Sequence, residues 1–295
     1  MVRAGKERTM PENDIFERIS NAYYHLTAAE KKVADYVVAR QRDTQYMSIS
    51  ELAEACGVAE ATISRFAKRL GCKGYNAFKL AVANSIAGRS AGVGNPLSGE
   101  VRAEDSVSDM CQKLFAAELD AMEQTMALLR PEAVTTAGDL LEKAGKVLCM
   151  GQGGSMVMAQ EAAHLFSTAF GKYFPICDSH MQTIAAAQLG PGDVILYISY
   201  SGATRDLLEI AHLARARGAE LILITRFPKS PGASLASVVL QCGTNESPLQ
   251  MGSVAARVAI IFVLDVLFSE VCRRDLDRCR AKRREVADAL SEKHI

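Results

Sequence analysis

The chain has 295 residues, 49% hydrophobic and 23% charged, with 34 basic residues balancing 34 acidic ones. This composition supports two domains with at least one substantial core, and zero net charge excludes a global field toward nucleic acid or membrane, so any basic surface is local. The longest apolar run, VAIIFVLDVLF, is broken by Asp265 and too short to cross a bilayer, and the charged N-terminus MVRAGKERTMPENDIFERI lacks the apolar core of a signal peptide.

The first half has helical period throughout. LTAAEKKVADYVVAR opens with a capping box, Thr27 and Glu30, and aligns Val33, Tyr36, Val37 and Arg40 on one side. SISELAEACGV repeats the device with Ser48 and Glu51. Together with AEATISRFAKRLG it supplies the parts of a helix-turn-helix: a short helix, a turn at Gly57, and a second helix. Leu52 and Ala53 face inward, Val58 plugs the corner, Ile63, Phe66 and Leu70 form the buried stripe, and Gly71 stops the helix. That spacing leaves Glu60, Ala61, Thr62, Ser64, Arg65, Lys68 and Arg69 outside. Small hydrogen-bonding side chains near the helix start suit base edges, and cations further along suit phosphates. Thr62, Ser64, Arg65, Lys68, Arg69 and Lys73 are therefore the expected DNA contacts. From Glu60 to Arg89 six basic residues face one acidic residue. The competing reading is a plain three-helix bundle with a solvated basic face.

Residues 88–103, GRSAGVGNPLSGEVRA, lack apolar periodicity and read as a linker between a domain of residues 1–87 and one of residues 104–295. Beyond it, a helical stretch over about 106–144 leads into short apolar runs alternating with helices: KVLCM, YFPIC, DVILYIS, ELILIT and SVVLQC. Five such runs separated by helices predict a parallel sheet in a βαβ layer fold. An apolar helix near 251–272 follows, then a stretch at 273–284 with seven Lys/Arg against two Asp, read as a solvated helix face.

The eight cysteines, Cys56, Cys72, Cys111, Cys149, Cys177, Cys242, Cys272 and Cys279, form no CxxC and have no histidines at zinc-finger spacing. Most sit in apolar segments as small hydrophobes. A reduced, cytoplasmic protein without metal or cofactor is expected.

Two strand-to-helix junctions carry anion-binding chemistry. VLCMGQGGSMVM places Gly151, Gly153, Gly154 and Ser155 where a helix begins, and VILYISYSGATRDLLEI places Ser199, Tyr200, Ser201, Gly202 and Thr204 at another. Ligands of open parallel sheets sit at such junctions, where helix N-terminal N–H groups favour an anion. GQGGS is neither G-x-G-x-x-G nor a P-loop, and SYSGAT has no G-x-S-x-G elbow, so no hydroxyl reads as a nucleophile.

G-x-G-x-S followed some 45 residues later by S-x-S-G-x-T resembles the sugar isomerase (SIS) domain, a flavodoxin-like three-layer α/β fold with a five-stranded parallel sheet that binds phosphosugars. Joined to TISRFAKRLGCKGYNAFK in an all-α helix-turn-helix domain, it resembles the RpiR/MurR family of transcriptional regulators of carbohydrate metabolism. The segments DSHMQ, LGPGDVILYIS and ARVAIIFVLDVLF are similar to that family too. The resemblance implies that Ser155, Ser199, Ser201 and Thr204 hold an effector's phosphate, with Gly153 and the Tyr200 backbone nearby. The family often has Ser where this chain has Ala59, a lost N-cap worth about 1 kcal/mol. The Tyr200 side chain either reaches toward the sugar or packs.

The alternative is a phosphosugar (aldose–ketose) isomerase with an accessory helical domain, which needs a base such as Glu or His at the sugar. Candidates are Glu161, His164, His180 and Glu246; Glu161 and His164 lie two turns past Ser155, and the late apolar helix offers only Arg257, Asp265 and Glu270. A sensor is favoured, with no catalytic residues and with His180 and Glu246 as candidate sugar contacts. Paired helix-turn-helix modules on a palindromic operator imply a homodimer or homotetramer.

Overall fold

The computed structural model describes residues 14–89, 101–244 and 253–291, which fall into two compact units divided between Glu104 and Asp105. The first unit is all helical: α1 (Ile15–Ala22), α2 (Ala28–Ala39), α3 (Gln41–Thr44), α4 (Ile49–Cys56), α5 (Glu60–Arg69) and α6 (Tyr75–Arg89). Local chemistry sets its boundaries. Thr27 with Glu30 and Ser48 with Glu51 form complete capping boxes on α2 and α4. Gly57 ends α4 at φ +61°, and Val58 packs onto a core of Ile19, Val33, Val37, Leu52, Ile63, Phe66 and Phe78, the last two edge-to-face at 5.6 Å. The α6 helix extends to Arg89, two residues into the stretch read as a linker, and residues 90–100 of that stretch lie outside the described residues.

The second unit holds α7 (Val107–Leu128), α8 (Pro131–Lys143), β1 (Val147–Gly151), α9 (Gly154–Ser167), β2 (Tyr173–Pro175), α10 (Ser179–Ala187), β3 (Val194–Ile198), α11 (Arg205–Arg217), β4 (Glu220–Thr225), β5 (Val238–Gln241), α12 (Val254–Arg274) and α13 (Leu276–Ser291). The single helical stretch expected at 106–144 is two helices. Pro131 disfavours helical geometry in the preceding residue, and Leu129 and Arg130 are extended, with ψ of 112° and 126°.

All five strands are parallel, in the order β2-β1-β3-β4-β5, the flavodoxin-like arrangement. Alternate residues face two apolar layers. Cys149, Leu196, Ile198, Ile222 and Ile224 pack with α7, α8, α9 and α12, while Leu148, Met150, Ile195, Tyr197, Leu221 and Leu223 pack with α10 and α11. Burial on both faces is why the strands read as continuous apolar runs.

On α13 the basic residues are partly committed: Arg283 lies over the Phe268 ring at 5.7 Å, Lys282 pairs with Glu285, and Cys279 is buried against Cys272. No helix among the described residues is long and apolar enough to cross a membrane.

Candidate functional site

In the sheet order, β1 and β3 are neighbours, and successive strands are added in opposite directions on either side of them. Ligand crevices of open α/β sheets form outside the carboxyl ends of strands at such a switch. The two hydroxyl- and glycine-rich junctions follow these two strands.

At the first junction, β1 ends on Gly151 and α9 starts at Gly154, with Gly153 at φ +55° and Ser155 N–H donating to Gln152 O at 3.1 Å. A Cβ on Gly151 would lie 2.7 Å from Ser155 O and 3.0 Å from Ile198 O. Glycine there lets the first turn of α9 close onto the ends of both strands. Gly153 and Gly154 are exposed and Ser155 is half-buried.

At the second junction, Ser199 N–H donates to Ile224 O at 3.0 Å, and the buried Ser199 Oγ accepts from Gly202 N at 3.2 Å. Gly202 sits at φ +60° with Thr225 and Ser230 packed against its Cα. Ser201 is exposed and its Oγ accepts from Ala203 N at 3.3 Å. Thr204 is the N-cap of α11, yet its side chain makes no capping bond, and Oγ1 is enclosed without a hydrogen-bond partner.

In the second unit α7, α10 and α12 are capped by the side chains of Ser106, Asp178 and Ser253, whereas α8, α9 and α11 have no side-chain cap. Of these three, α9 and α11 follow strands, and α8 begins on Pro131 after the turn from α7. A helix start of this kind favours an anion, although in α9 the N–H groups of Ser155 and Met156 already donate to Gln152 O and Gly153 O.

The other sequence candidates are placed as follows. Tyr200 turns its side chain away from the junction: the hydroxyl donates to Thr244 O at 2.8 Å and the ring packs edge-on to Phe227 at 5.8 Å. Arg226 Nε donates to the same carbonyl at 3.1 Å. The Tyr200 side chain therefore packs, and only its backbone remains in the loop. His180 is exposed in the first turn of α10. Glu246 lies outside the described residues. Glu161 and His164 are exposed and face each other at 3.8 Å. Burial would raise the Glu270 carboxyl, but Arg273 and Arg274 outweigh it and hold it below the usual carboxylate range.

Gln182 escaped the sequence reading. Fully buried, it donates to Gly151 O at 3.0 Å and Ile176 O at 2.8 Å and accepts from Gln152 Nε2 at 3.1 Å, fixing the first junction from behind. Its sequence signals are its place at the end of the family-like segment DSHMQ and a lone amide in a largely apolar helix.

On the helix-turn-helix unit, Arg65, Lys68 and Lys73 are exposed and Ser64 is half-buried. Thr62, expected outside, is buried at 7% exposure. The buried arc of α5 is wider than the Ile63–Phe66–Leu70 stripe, because Thr62 stacks one turn before Phe66 on the same flank. Its hydroxyl instead accepts from Arg65 Nη2 at 3.4 Å. Arg69, expected to meet DNA, reaches back to α2: Nε pairs with the buried Glu30 at 3.1 Å and Nη1 donates to His25 O at 3.1 Å. Burial would raise the Glu30 carboxyl, but hydrogen bonds from Thr27 and the Arg69 charge together hold it below the ordinary range. Ala59, the N-cap of α5, makes no capping bond.

Comparison with known proteins gives concordant findings. The family model described as "Helix-turn-helix domain, rpiR family" matches residues 13–89, and that described as "SIS domain" matches residues 140–270. The HTH-type transcriptional regulator HexR of Pseudomonas aeruginosa is 31% identical over 265 residues, covering 90% of this chain and 91% of that protein. HexR of Escherichia coli is 29% identical, covering 95% of each. The solved Vibrio vulnificus NanR protein complexed with ManNAc-6P is similar with a TM-score of 0.84 at 22% identity, covering 95% of this chain and all of that one, a likeness of fold.

Proposed function

The chain belongs to the RpiR family of helix-turn-helix transcriptional regulators, DNA-binding proteins with a sugar-phosphate-sensing SIS domain, and from that premise we propose how its residues divide the work. An effector's phosphate sits where α9 and α11 begin. Ser155, Ser201 and Thr204 donate hydroxyl hydrogens to it, and the backbone around Gly153 and Tyr200 contributes N–H groups. Ser199 holds the turn through its bond to Gly202 N. His180 and Glu246 contact the sugar. The observation that carries this reading is the pair of uncapped helices on adjacent strands, one with an enclosed, unpartnered threonine hydroxyl. The ManNAc-6P in the NanR complex is a sugar phosphate, which fits the same ligand class.

Operator DNA meets α5. Arg65, Lys68 and Lys73 bind backbone phosphates and Ser64 lies toward base edges, while Arg69 braces the unit through Glu30. The protein acts in the cytoplasm as a homodimer or homotetramer on a palindromic operator. Effector binding shifts a pre-existing equilibrium of subunit arrangements, changing the spacing of the paired helix-turn-helix modules.

A sensor fits better than an isomerase because three of the acid–base candidates are committed elsewhere: Glu161 and His164 face each other in solvent, and Glu270 is held by two arginines; His180 is assigned to the sugar. Gel shifts with the chain's own upstream DNA, with and without candidate sugar phosphates, test the assignment. Ser201→Ala combined with Thr204→Ala is expected to abolish the effector response and leave DNA binding intact. A normal response from that double variant overturns the phosphate site, and robust turnover of hexose or pentose phosphates overturns the sensor reading.

A further inference from the structure

The β3 residue Tyr197 adds a layer behind the phosphate site. Its ring is fully buried in the layer formed with α10 and α11. Its hydroxyl is enclosed and makes no hydrogen bond of normal geometry, and the same holds for Thr204 Oγ1. The two groups are neighbours: the side chains of Thr204 and Gln152 both lie within interaction reach of the phenol. Two unsatisfied hydroxyls thus lie side by side at the root of α11. An unpaired buried polar group is destabilising, and a phenylalanine at position 197 would fill the same space without that penalty. Burial, with Asp206 adding to it, pushes the phenol up to about 12, so it remains a proton donor throughout the neutral range.

We propose that Tyr197 and Thr204 form a hydroxyl relay completed by the effector's phosphate: the phenol donates to Thr204 Oγ1, and Thr204 donates onward to a phosphate oxygen. The relay rests on the placement of the phosphate at α9 and α11 argued above. Its direction follows from hydrogen inventory. A threonine hydroxyl has one hydrogen and two lone pairs. Once that hydrogen points at an acceptor-rich anion, the lone pairs are open to the phenol, and the chain is polarised toward the charge. Without the anion the phenol has no hydrogen-bond partner, and its neighbour Gln152 is already bound through its amide nitrogen to Gln182 Oε1 at 3.1 Å. Gln182 is in turn tied to Gly151 O and Ile176 O. Tyr197 therefore stands between the two junctions as a positioning residue, and occupancy of the site gives its hydrogen an acceptor at the second.

The test uses the full chain with inorganic phosphate as probe, read by titration calorimetry and thermal melting. Tyr197→Phe is expected to weaken phosphate binding roughly 3- to 10-fold while the ligand-free melting temperature holds or rises. In a Thr204→Val background, Tyr197→Phe is expected to cause no further loss, because the relay is already cut; Thr204→Ser is expected to retain binding. Equal phosphate affinity for wild type and Tyr197→Phe, with Ser201→Ala impaired, overturns the relay and leaves the phosphate site standing. A lower melting temperature for Tyr197→Phe with unchanged affinity marks a packing residue and overturns it as well. Wild-type protein that binds no phosphate overturns the site and the relay together.

Discussion

Gly202→Ala isolates the steric demand of the second junction. The residue holds φ +60°, where an alanine costs about 1 kcal/mol. The added Cβ would also fall 2.0 Å from Ser230 Oγ, 2.7 Å from Ser230 Cβ and 3.0 Å from Thr225 Oγ1. Rotating the serine hydroxyl relieves the first contact and leaves the second, because Ser230 is only 3% exposed and its backbone N–H is bonded to Phe227 O at 3.1 Å. Overpacking of this kind costs about 1–3 kcal/mol. The total of about 2–4 kcal/mol corresponds to a fall of roughly 4–16 °C in the melting temperature of a unit this size. Ser230→Gly removes both serine contacts, so in the Gly202→Ala background it is expected to recover the overpacking share and leave the backbone share. The assay is thermal melting of all four proteins. Gly202→Ala melting with the wild type, or a deficit untouched by Ser230→Gly, refutes the reasoning.

Two further outcomes concern the helix-turn-helix unit. Arg69→Ala strands the buried Glu30 carboxylate and is expected to destabilise that unit by about 1–3 kcal/mol in urea melts at neutral pH. Because the folded Glu30 lies below its ordinary value, its contribution is complete above the ordinary carboxylate pKa and disappears as pH falls through the lower folded value; Arg69→Ala should flatten that acid limb in melts across pH 2–6, a window of about this width following from ordinary carboxylate values. Ala59→Ser restores an N-cap to α5, whose cap residue already has φ −75° and ψ 149°, and is expected to raise the unit's stability by about 1 kcal/mol in the same melts.

Where structure is set locally, the sequence announces it. The capping boxes at Thr27 and Ser48 and the apolar runs of five strands needed no distant partner to be read. Pro131 was visible as a helix start, but the long apolar period on either side of it masked the break. Thr62 was misplaced because a three-residue stripe underestimates how much of a helix a small core covers. Arg69 looked like a DNA contact until the fold brought Glu30, 39 residues earlier, beneath it. Gln182 and Tyr197 were illegible for a related reason. A polar group's role inside an apolar layer depends on which carbonyls and hydroxyls the fold carries to it, and Gly151 is 31 residues from Gln182.

The helices α9 and α11 start on adjacent strands but lie on opposite faces of the sheet. An anion shared by their first turns becomes a cross-brace at the carboxyl end of the sheet, joining two layers that otherwise meet there through the Gln182 amide, which contacts Met156 and Gln152. Occupancy is then a mechanical event as well as a chemical one. Tension placed on either layer is carried into the other, and the slowest-exchanging amides of both first turns report the same ligand.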